Sequence, residues 1–170
     1  MKNVMLDLET MGTTSGSAII SIGAVEFDNN GIGREFYEKI NLADAVNEGL
    51  TLDANTVLWW MRQSDEARKE FESGTKGLRA VLSMFAAWLD REALLWGNGS
   101  DFDNVLLTAA YNVCKINRPW NFRNNCCYRT IRKLYPDVVA KDTGGVKHNA
   151  LEDARYQALH LIEIAKVAGF

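Results

Sequence analysis

The chain begins with a short apolar run, residues 3–9, whose side chains alternate as a β-strand requires. On such a strand Leu6 and Leu8 project from one face, whereas Asp7 and Glu9 project from the other. The sequence therefore predicts a strand that ends with two carboxylates side by side. Two carboxylates held so close repel each other, and this raises one pKa unless a cation takes up the charge.

Further apolar runs predict more strands. Residues 18–27 are rich in β-branched side chains and lead into the turn residues 29–31, Asn-Asn-Gly, so a hairpin with a return strand at 35–40 is expected. A short buried strand is predicted at 94–98. Three consecutive strands followed mostly by helices indicate an α/β fold with a mixed sheet flanked by helices.

The remaining segments have helical periodicity. Residues 53–72 predict two short helices, 76–90 form the clearest amphipathic helix, and 105–113 predict a helix with Asp103 at its beginning. Residues 128–135 are partly helical, and a mobile loop is expected at 141–147. Asn149, with Glu152 three residues later, is typical of the start of a helix. We expect one domain, residues 1–170.

Composition is that of an ordinary globular protein, with 47% hydrophobic and 24% charged residues in 170. No apolar run has the length of a transmembrane helix and no signal peptide is evident, so a cytoplasmic protein without membrane contact is expected. The three cysteines lack C-x-x-C spacing, which argues against a zinc site or a disulfide framework.

The net charge of −3 conceals an asymmetry along the chain. Residues 1–114 carry 9 basic and 17 acidic side chains, whereas residues 115–147 carry 8 and 2. This basic segment ends at Lys147, directly before His148, and is a candidate surface for the phosphates of a nucleic acid. A solvated basic helix and loop is the alternative interpretation.

Candidate metal ligands occur in three distant segments. Asp7 and Glu9 end the first strand, an Asp-Phe-Asp sequence at 101–103 follows the 94–98 strand, and Asp153 lies five residues after His148. Clusters of carboxylate oxygens suit Mg²⁺ or Mn²⁺ better than zinc. The sequence offers no glycine-rich phosphate loop and no nucleophile elbow, which disfavours a nucleotide switch or an esterase.

In this order and local context the residues resemble the DEDDh subgroup of the DnaQ-like 3′→5′ exonucleases, which have a ribonuclease H-like fold. The resemblance spans nearly the whole chain and is strongest, through Asp-Leu-Glu-Thr-Met-Gly-Thr, Val-Leu-Trp-Trp and Trp-Gly-Asn-Gly, to the branch with exonuclease VIII-like enzymes and related exoribonucleases. The family places its acid directly after an aromatic residue, which selects Asp103 over Asp101.

The resemblance implies the role of each residue. Asp7, Glu9, Asp103 and Asp153 would hold two divalent cations, which act on phosphodiesters at about 3.5–4 Å from each other. His148 would be the general base, since an unperturbed histidine has a pKa of about 6.5 and is mostly neutral at cellular pH. The other histidine, His160, is expected to be a surface or structural residue.

Four residues are candidates for substrate binding. By resemblance, Thr10 and Met11 would contact the terminal sugar and base. Lys147, at the end of the basic segment before His148, would contact phosphate. Trp59 and Trp60 are adjacent on a predicted helix, so their rings point about 100° apart. One is expected in the core and the other on a base; Trp60 is the named candidate, although the spacing leaves the choice open.

The predicted function is a metal-dependent 3′→5′ exonuclease that releases nucleoside monophosphates from single-stranded 3′ ends, with DNA slightly favoured over RNA. A homodimer is possible by the same resemblance. Two alternatives are a ribonuclease H-type endonuclease and a catalytically inactive nucleic-acid-binding module. All five functional positions carry the expected residue type, which argues against the inactive module.

Overall fold

A mixed β-sheet organises the chain, which is described by a computed structural model at residues 2–99, 101–140, 144 and 148–169. The described strands are β1 (Asn3–Thr10), β2 (Ile19–Asp28), β3 (Gly31–Lys39), β4 (Leu94–Gly97) and β5 (Asn125–Cys127). Their order in the sheet is β3-β2-β1-β4-β5. β2 is antiparallel to β1 and β3, whereas β1, β4 and β5 are parallel. The predicted mixed sheet is confirmed.

Helices occupy most of the remaining chain. The described helices are α1 (Leu42–Asn47), α2 (Ala54–Trp60), α3 (Asp65–Glu72), α4 (Leu78–Trp88), α5 (Asp103–Val113), α6 (Tyr128–Leu134) and α7 (Ala150–Ala168). The two short helices expected within 53–72 are α2 and α3, and Asp103 begins α5 as predicted. No helix among the described residues is long and apolar enough to cross a lipid bilayer.

Two elements lacked a sequence signal, α1 and β5. α1 has six residues, of which only Ala45 is buried, so it is too short to develop an apolar periodicity. β5 has three residues, Asn-Cys-Cys, and pairs only with β4. A strand this short depends on its neighbour in the sheet rather than on its own sequence.

The two faces of the sheet support separate apolar clusters. Val4, Leu6 and Leu8 of β1 belong to the larger cluster, which includes side chains of α4 and α5. Met5 belongs to the second cluster, with side chains of α6 and α7. Because side chains alternate along a strand, Asp7 and Glu9 share the face of Met5 and lie on the side covered by α7.

Gly23 of β2 allows α7 to begin close to the sheet. It pairs with Asp7 across the β1–β2 ladder. A Cβ atom at this position would lie 2.1 Å from the carbonyl carbon of Ala150 and 2.3 Å from the nitrogen of Leu151. The absence of a side chain at Gly23 therefore permits the first turn of α7 to approach the acidic end of β1.

Candidate active site

A cleft of about 700 Å³ lies at the carboxyl end of β1, beside the start of α7. Asp7, Glu9, His148 and Asp153 line it. Asp103 contacts the same strand, since the backbone N–H of Leu8 donates to its Oδ1 at 3.2 Å. The five residues selected from the sequence are therefore brought together in one place, although up to 146 positions separate them in the chain.

Asp103 is fixed by the turn between β4 and α5. It is 1% exposed, and besides Leu8 the backbone N–H of Asn98 donates to it, at 2.7 Å to Oδ2. Asp101, by contrast, is exposed to solvent. Burial against β1 therefore supports the choice of Asp103 over Asp101.

Asp7 is oriented by a side chain from α7. The amide nitrogen of Gln157 donates to Asp7 Oδ1 at 2.7 Å. The other amide atom, Gln157 Oε1, is buried and has no hydrogen-bond partner among the described residues. Gln157 lies one helical turn after Asp153, so the same face of α7 carries both residues.

Glu9, His148 and Asp153 form the most compact part of the site. Each offers a ligand atom, and these three atoms lie within 4.8 Å of one another. His148 has a left-handed backbone conformation, with φ of 62°, and its backbone hydrogen-bonds to the carboxylate of Asp153. His148, two residues before α7, therefore places its imidazole beside the acidic end of β1.

Burial raises the pKa of all four carboxyl groups, and the charges of the neighbouring site acids raise the pKa of Asp7 and Glu9 further. Burial is the largest cause in each case; it raises the pKa of Glu9 to about 9 and that of Asp103 to about 6. The pKa of Asp7 is raised well above its usual value by burial and then by the charges of Asp103, Glu9 and Asp153. The pKa of Asp153 is raised as well.

These shifts test whether the residues fit divalent cations. Without a cation, four carboxylates in one cleft destabilise each other and can ionise only partly. Hard oxygen ligands around an open cleft are the donor set that Mg²⁺ and Mn²⁺ prefer. The donor set thus fits a divalent metal centre, with the imidazole of His148 at its edge.

Two tryptophans lie beside His148 in different environments. The ring centroids of Trp59 and His148 are 4.8 Å apart, and 40% of Trp59 is exposed. Trp60 is 1% exposed, and its indole N–H donates to the carbonyl oxygen of Thr10 at 2.9 Å. The prediction that Trp60 stacks on a base is therefore corrected: Trp60 supports the wall of the cleft, and Trp59 is the ring that a base can reach.

The other substrate-binding candidates differ in position. Thr10 lines the cleft, and its hydroxyl donates to the carbonyl oxygen of Gly12 at 2.7 Å. Met11 is 3% exposed and belongs to the larger apolar cluster, so its buried side chain cannot wedge against a base, and that prediction is also corrected. Lys147 lies outside the described residues.

His160 has a structural role, which was one of the two interpretations that the sequence allowed. It is 5% exposed; its Nδ1 lies 2.7 Å from the hydroxyl of Tyr128 and its Nε2 lies 2.8 Å from the carbonyl oxygen of Val138. A carbonyl only accepts, so Nε2 is the donor of the bond to Val138, and in the neutral imidazole Nδ1 then accepts from the hydroxyl of Tyr128. These bonds attach the segment before residues 141–147 to α7.

A buried carboxylate that sequence reasoning missed lies behind the candidate metal ligands. Glu70 of α3 is 3% exposed and accepts hydrogen bonds from the hydroxyl of Tyr37, at 2.7 Å, and from the side-chain amide of Asn149, at 2.8 Å. Asn149 also caps α7 by accepting from the backbone N–H of Glu152. Glu70 thus holds Asn149, the cap of α7, which directly follows His148.

The sequence contained a weak signal for Glu70. It lies three residues after Ala67 and directly before Phe71, on the face of α3 that contacts the core. A charged residue on a buried helix face requires partners, because an unpaired buried charge is costly. Those partners come from β3 and α7, and neither can be identified from the spacing of residues in α3.

We expect Glu70→Ala to lower kcat at least about tenfold, the range measured when partners of site residues are removed. The reason is that Tyr37 and Asn149 lose their acceptor and the backbone of His148 becomes less well positioned. Glu70→Gln, which keeps one acceptor oxygen, should recover part of the loss. Steady-state kinetics with the exposed Glu72→Ala variant as control test this; equal effects of Glu70→Ala and Glu70→Gln would contradict it.

Comparison with known proteins gives a family and a set of structural neighbours. A family model described as a 3′-5′ exoribonuclease Rv2179c-like domain matches residues 2–165. No curated protein matches the sequence at a significant level.

Solved exonucleases have the same fold. Exonuclease X in complex with 5′-overhanging duplex DNA aligns with a TM-score of 0.64 at 16% identity, covering 98% of this chain and 93% of that one. The nuclease domain of 3′hExo, a DEDDh family member bound to rAMP, aligns with a TM-score of 0.59 at 14% identity, covering 99% and 92%. E. coli exonuclease I in complex with a 5cy-dT13 oligonucleotide aligns with a TM-score of 0.67 at 15% identity, covering 98% of this chain and 40% of that one.

Proposed function

The chain belongs to the Rv2179c-like 3′-5′ exoribonuclease domain family, and we propose that it is a metal-dependent exonuclease that removes nucleoside monophosphates from single-stranded 3′ ends. One observation carries the proposal: four carboxylates and His148 from three distant parts of the chain meet at the open cleft beside β1. A structural role does not require repelling carboxylates to be gathered at the wall of an open cleft.

The four carboxylates would hold two Mg²⁺ or Mn²⁺ ions. When bound, such cations supply an activated water and neutralise the charge that develops on the phosphate and the leaving oxygen. Asp7 would be oriented towards them by Gln157, and Asp103 by the backbone N–H groups of Leu8 and Asn98. These fixed hydrogen bonds reduce the reorganisation needed when the metals bind.

His148 would accept the proton of the attacking water. Its ring lies at the edge of the carboxylate cluster and contacts Trp59, which limits the orientations of the imidazole. A general base must lie within hydrogen-bond reach of the proton that it takes, and the position of His148 is compatible with this requirement. Thr10, which follows Glu9 and lines the cleft, would contact the terminal sugar.

We favour RNA as the substrate, a change from the slight preference for DNA drawn from the sequence. The reasons are the exoribonuclease description of the family and the polar rim of the cleft, to which Thr13, Thr14, Asn55 and Thr56 contribute. Hydroxyl and amide groups can hydrogen-bond a 2′-hydroxyl, the group that distinguishes RNA from DNA. Structural neighbours with DNA and with rAMP both occur, so the fold does not decide between them.

The function is tested with 3′-labelled and 5′-labelled single-stranded oligonucleotides incubated with Mn²⁺, with and without a chelator. Stepwise loss of nucleotides from the 3′ end, abolished by the chelator, is the expected result. Internal cuts would instead support a ribonuclease H-type endonuclease, and binding without cleavage would support an inactive module. RNA and DNA of identical sequence, compared by kcat/KM, decide the sugar preference.

Trp59→Ala is expected to raise KM for single-stranded substrates about fivefold or more, because base stacking on an aromatic ring contributes about 1–3 kcal/mol. Trp59→Phe should preserve most of the affinity, since it keeps an aromatic face next to His148. Initial rates over a range of substrate concentrations test the prediction. A loss confined to kcat would show that Trp59 acts only by supporting His148.

Two further predictions concern the protein as a whole. A homodimer is tested by light scattering during size-exclusion chromatography, with one mass expected at about twice 19.1 kDa. A cytoplasmic location is tested by fractionation of expressing cells.

A further inference from the structure

Ion pairing divides the basic residues of the described chain into two groups. Six of the nine in residues 2–114 have a carboxylate within 4.0 Å: Lys2, Arg34, Lys39, Arg68, Lys76 and Arg79. In residues 115–140 no ion pair is formed with any described residue by Lys115, Arg118, Arg123, Arg129, Arg132 or Lys133. The second group therefore retains its positive charge for an external partner.

These residues lie in the segments that precede and follow β5, which is an edge strand of the sheet. β5 is parallel to β4, and Cys127 pairs with Gly97, directly before Asn98, whose backbone contacts Asp103. Arg129 follows at the start of α6, and its charge acts on Asp103. The carboxyl end of β5 is therefore the end nearer to the candidate metal ligands, and its amino end is the end farther from them.

Directly before the amino end of β5, an aromatic ring is exposed between two arginines. Phe122 is 54% exposed, and the guanidinium carbon of Arg123 lies 4.8 Å from its ring centroid. The guanidinium carbon of Arg118 lies 5.7 Å from the same centroid and 6.0 Å from that of Trp120. We call Arg118, Phe122 and Arg123 the distal platform.

The distal platform has the chemistry of a single-strand binding surface. Bases stack on exposed aromatic rings and on guanidinium planes, and arginines also pair with phosphates. Phe122 contributes to neither apolar cluster, so packing does not explain its position. The two arginines could also bind an acidic partner protein. The position of Arg129 between them and Asp103 along the chain favours the substrate strand instead.

We propose that the distal platform binds the part of the substrate strand that lies 5′ of the cleaved bond, with Arg129 between the platform and the cleft. This inference rests on the proposed function. The three residues of β5, at about 3.3 Å each, and the three residues of the 3₁₀ turn Phe122–Asn124 before it, at about 2 Å each, separate the distal platform from the carboxyl end of β5 by on the order of 15 Å. A stacked nucleic-acid strand rises about 3.4 Å per nucleotide, so about five nucleotides would extend from the cleft end of β5 to the distal platform.

The test compares substrates of different length. For wild-type protein with Mn²⁺, kcat/KM should increase from a dinucleotide to a 12-nucleotide strand. Phe122→Ser and the double variant Arg118→Gln/Arg123→Gln, which keeps most of each side-chain stem, should lower the ratio of kcat/KM on the 12-mer to that on the dinucleotide at least fivefold. Arg91→Gln, another exposed arginine without an ion pair among the described residues, is the charge control and should leave the ratio unchanged.

Salt dependence gives a second readout. Removing one cationic side chain that neutralises a phosphate of a single strand reduces the slope of log affinity against log salt by about 0.7, so the double variant should show a slope smaller by about 1.4. Unchanged ratios and slopes in an active enzyme overturn the inference and leave the exonuclease proposal intact.

If no form of the protein cleaves, the proposed function fails, and anisotropy of a labelled 12-mer in chelator decides the platform alone. Weaker binding by both platform variants than by Arg91→Gln supports it, whereas equal binding or none rejects it. Circular dichroism establishes that every variant is folded.

Discussion

Glu9→Gln is expected to reduce exonuclease activity by more than about 100-fold while leaving the protein folded. Loss of a hydrogen-bond partner of a metal ligand typically costs 10–100-fold, and loss of a ligand itself should exceed that range. Glu9 is 8% exposed and lies with His148 and Asp153 at the most compact part of the site. Initial rates in Mn²⁺ on a labelled single strand measure the effect.

The same substitution should stabilise the metal-free protein at alkaline pH. Burial and the charges of Asp153, Glu70 and Asp103 raise the pKa of Glu9 from 4.5 to about 9. A carboxyl whose pKa is higher in the folded state binds protons more strongly there, so stability is lost as pH rises from about 4.5 through about 9. Glutamine has no such titration, and its advantage should therefore grow over that interval.

Thermal unfolding in chelator gives the measurement. At pH 8 the Tm of Glu9→Gln should exceed that of wild type, with each kcal/mol of relieved repulsion giving about 2–4 °C for a chain of this size. Near pH 4 the two should coincide. Saturating Mn²⁺ should reverse the order at pH 8, since a ligand stabilises the state that binds it.

Asp103→Asn is the matched comparison, because it removes a charge from the same cluster but also breaks hydrogen bonding. Both Asp103 oxygens accept from backbone N–H groups, those of Leu8 and Asn98. An asparagine can accept only one of the two, and an unpaired buried donor costs about 1–3 kcal/mol. It should lose activity as Glu9→Gln does but gain less stability. Near wild-type activity in either variant would show that the metal assignment is wrong.

His148→Ala is expected to lower kcat by about 10²–10⁴-fold, the contribution typical of a general base, with little change in metal affinity. Metal affinity should survive because four carboxylates remain. The ring of His148 contacts Trp59, and the backbone bond to Asp153 does not depend on the side chain, so removing the ring leaves a space beside Trp59 that a small base could enter. Added imidazole should therefore restore part of the activity.

His148→Gln provides the control for this prediction. It fills more of the space and offers hydrogen bonds but accepts no proton at neutral pH, so it should be as slow as the alanine variant and insensitive to imidazole. Titration calorimetry with Mn²⁺ measures metal binding in each variant. A large fall in Mn²⁺ affinity of His148→Ala would make His148 a metal ligand instead of a base.

Strand alternation predicted where Asp7 and Glu9 lie, and the family resemblance selected the other candidate site residues. Placing Asp7 and Glu9 on one face of β1 needed only the period of two, and the start of α7 at Asn149 was evident from its cap. These features are local: each depends on residues within one element, and the backbone geometry of that element fixes their relative positions.

Only the tertiary structure decided which residues support that site. Trp60 and not Trp59 is buried, because the indole N–H of Trp60 reaches the carbonyl oxygen of Thr10, 50 positions away. Glu70 is joined to Asn149 across 79 positions, and β5 exists only beside β4. The spacing of residues within a helix or strand cannot encode such contacts, because packing between distant elements creates them.

Taken alone, the sequence determined the sheet-and-helix plan and placed Asp7 and Glu9 on one face of β1, because backbone periodicity acts over short distances. The resemblance to the DEDDh exonucleases selected Asp103, His148 and Asp153 as the other candidates. The tertiary structure decided how closely α7 approaches β1 at Gly23, which tryptophan is exposed at the cleft, and that basic residues without an ion pair among the described residues gather before and after β5. Those outcomes depend on which surfaces exclude water when the elements pack, and that is a property of the assembled chain.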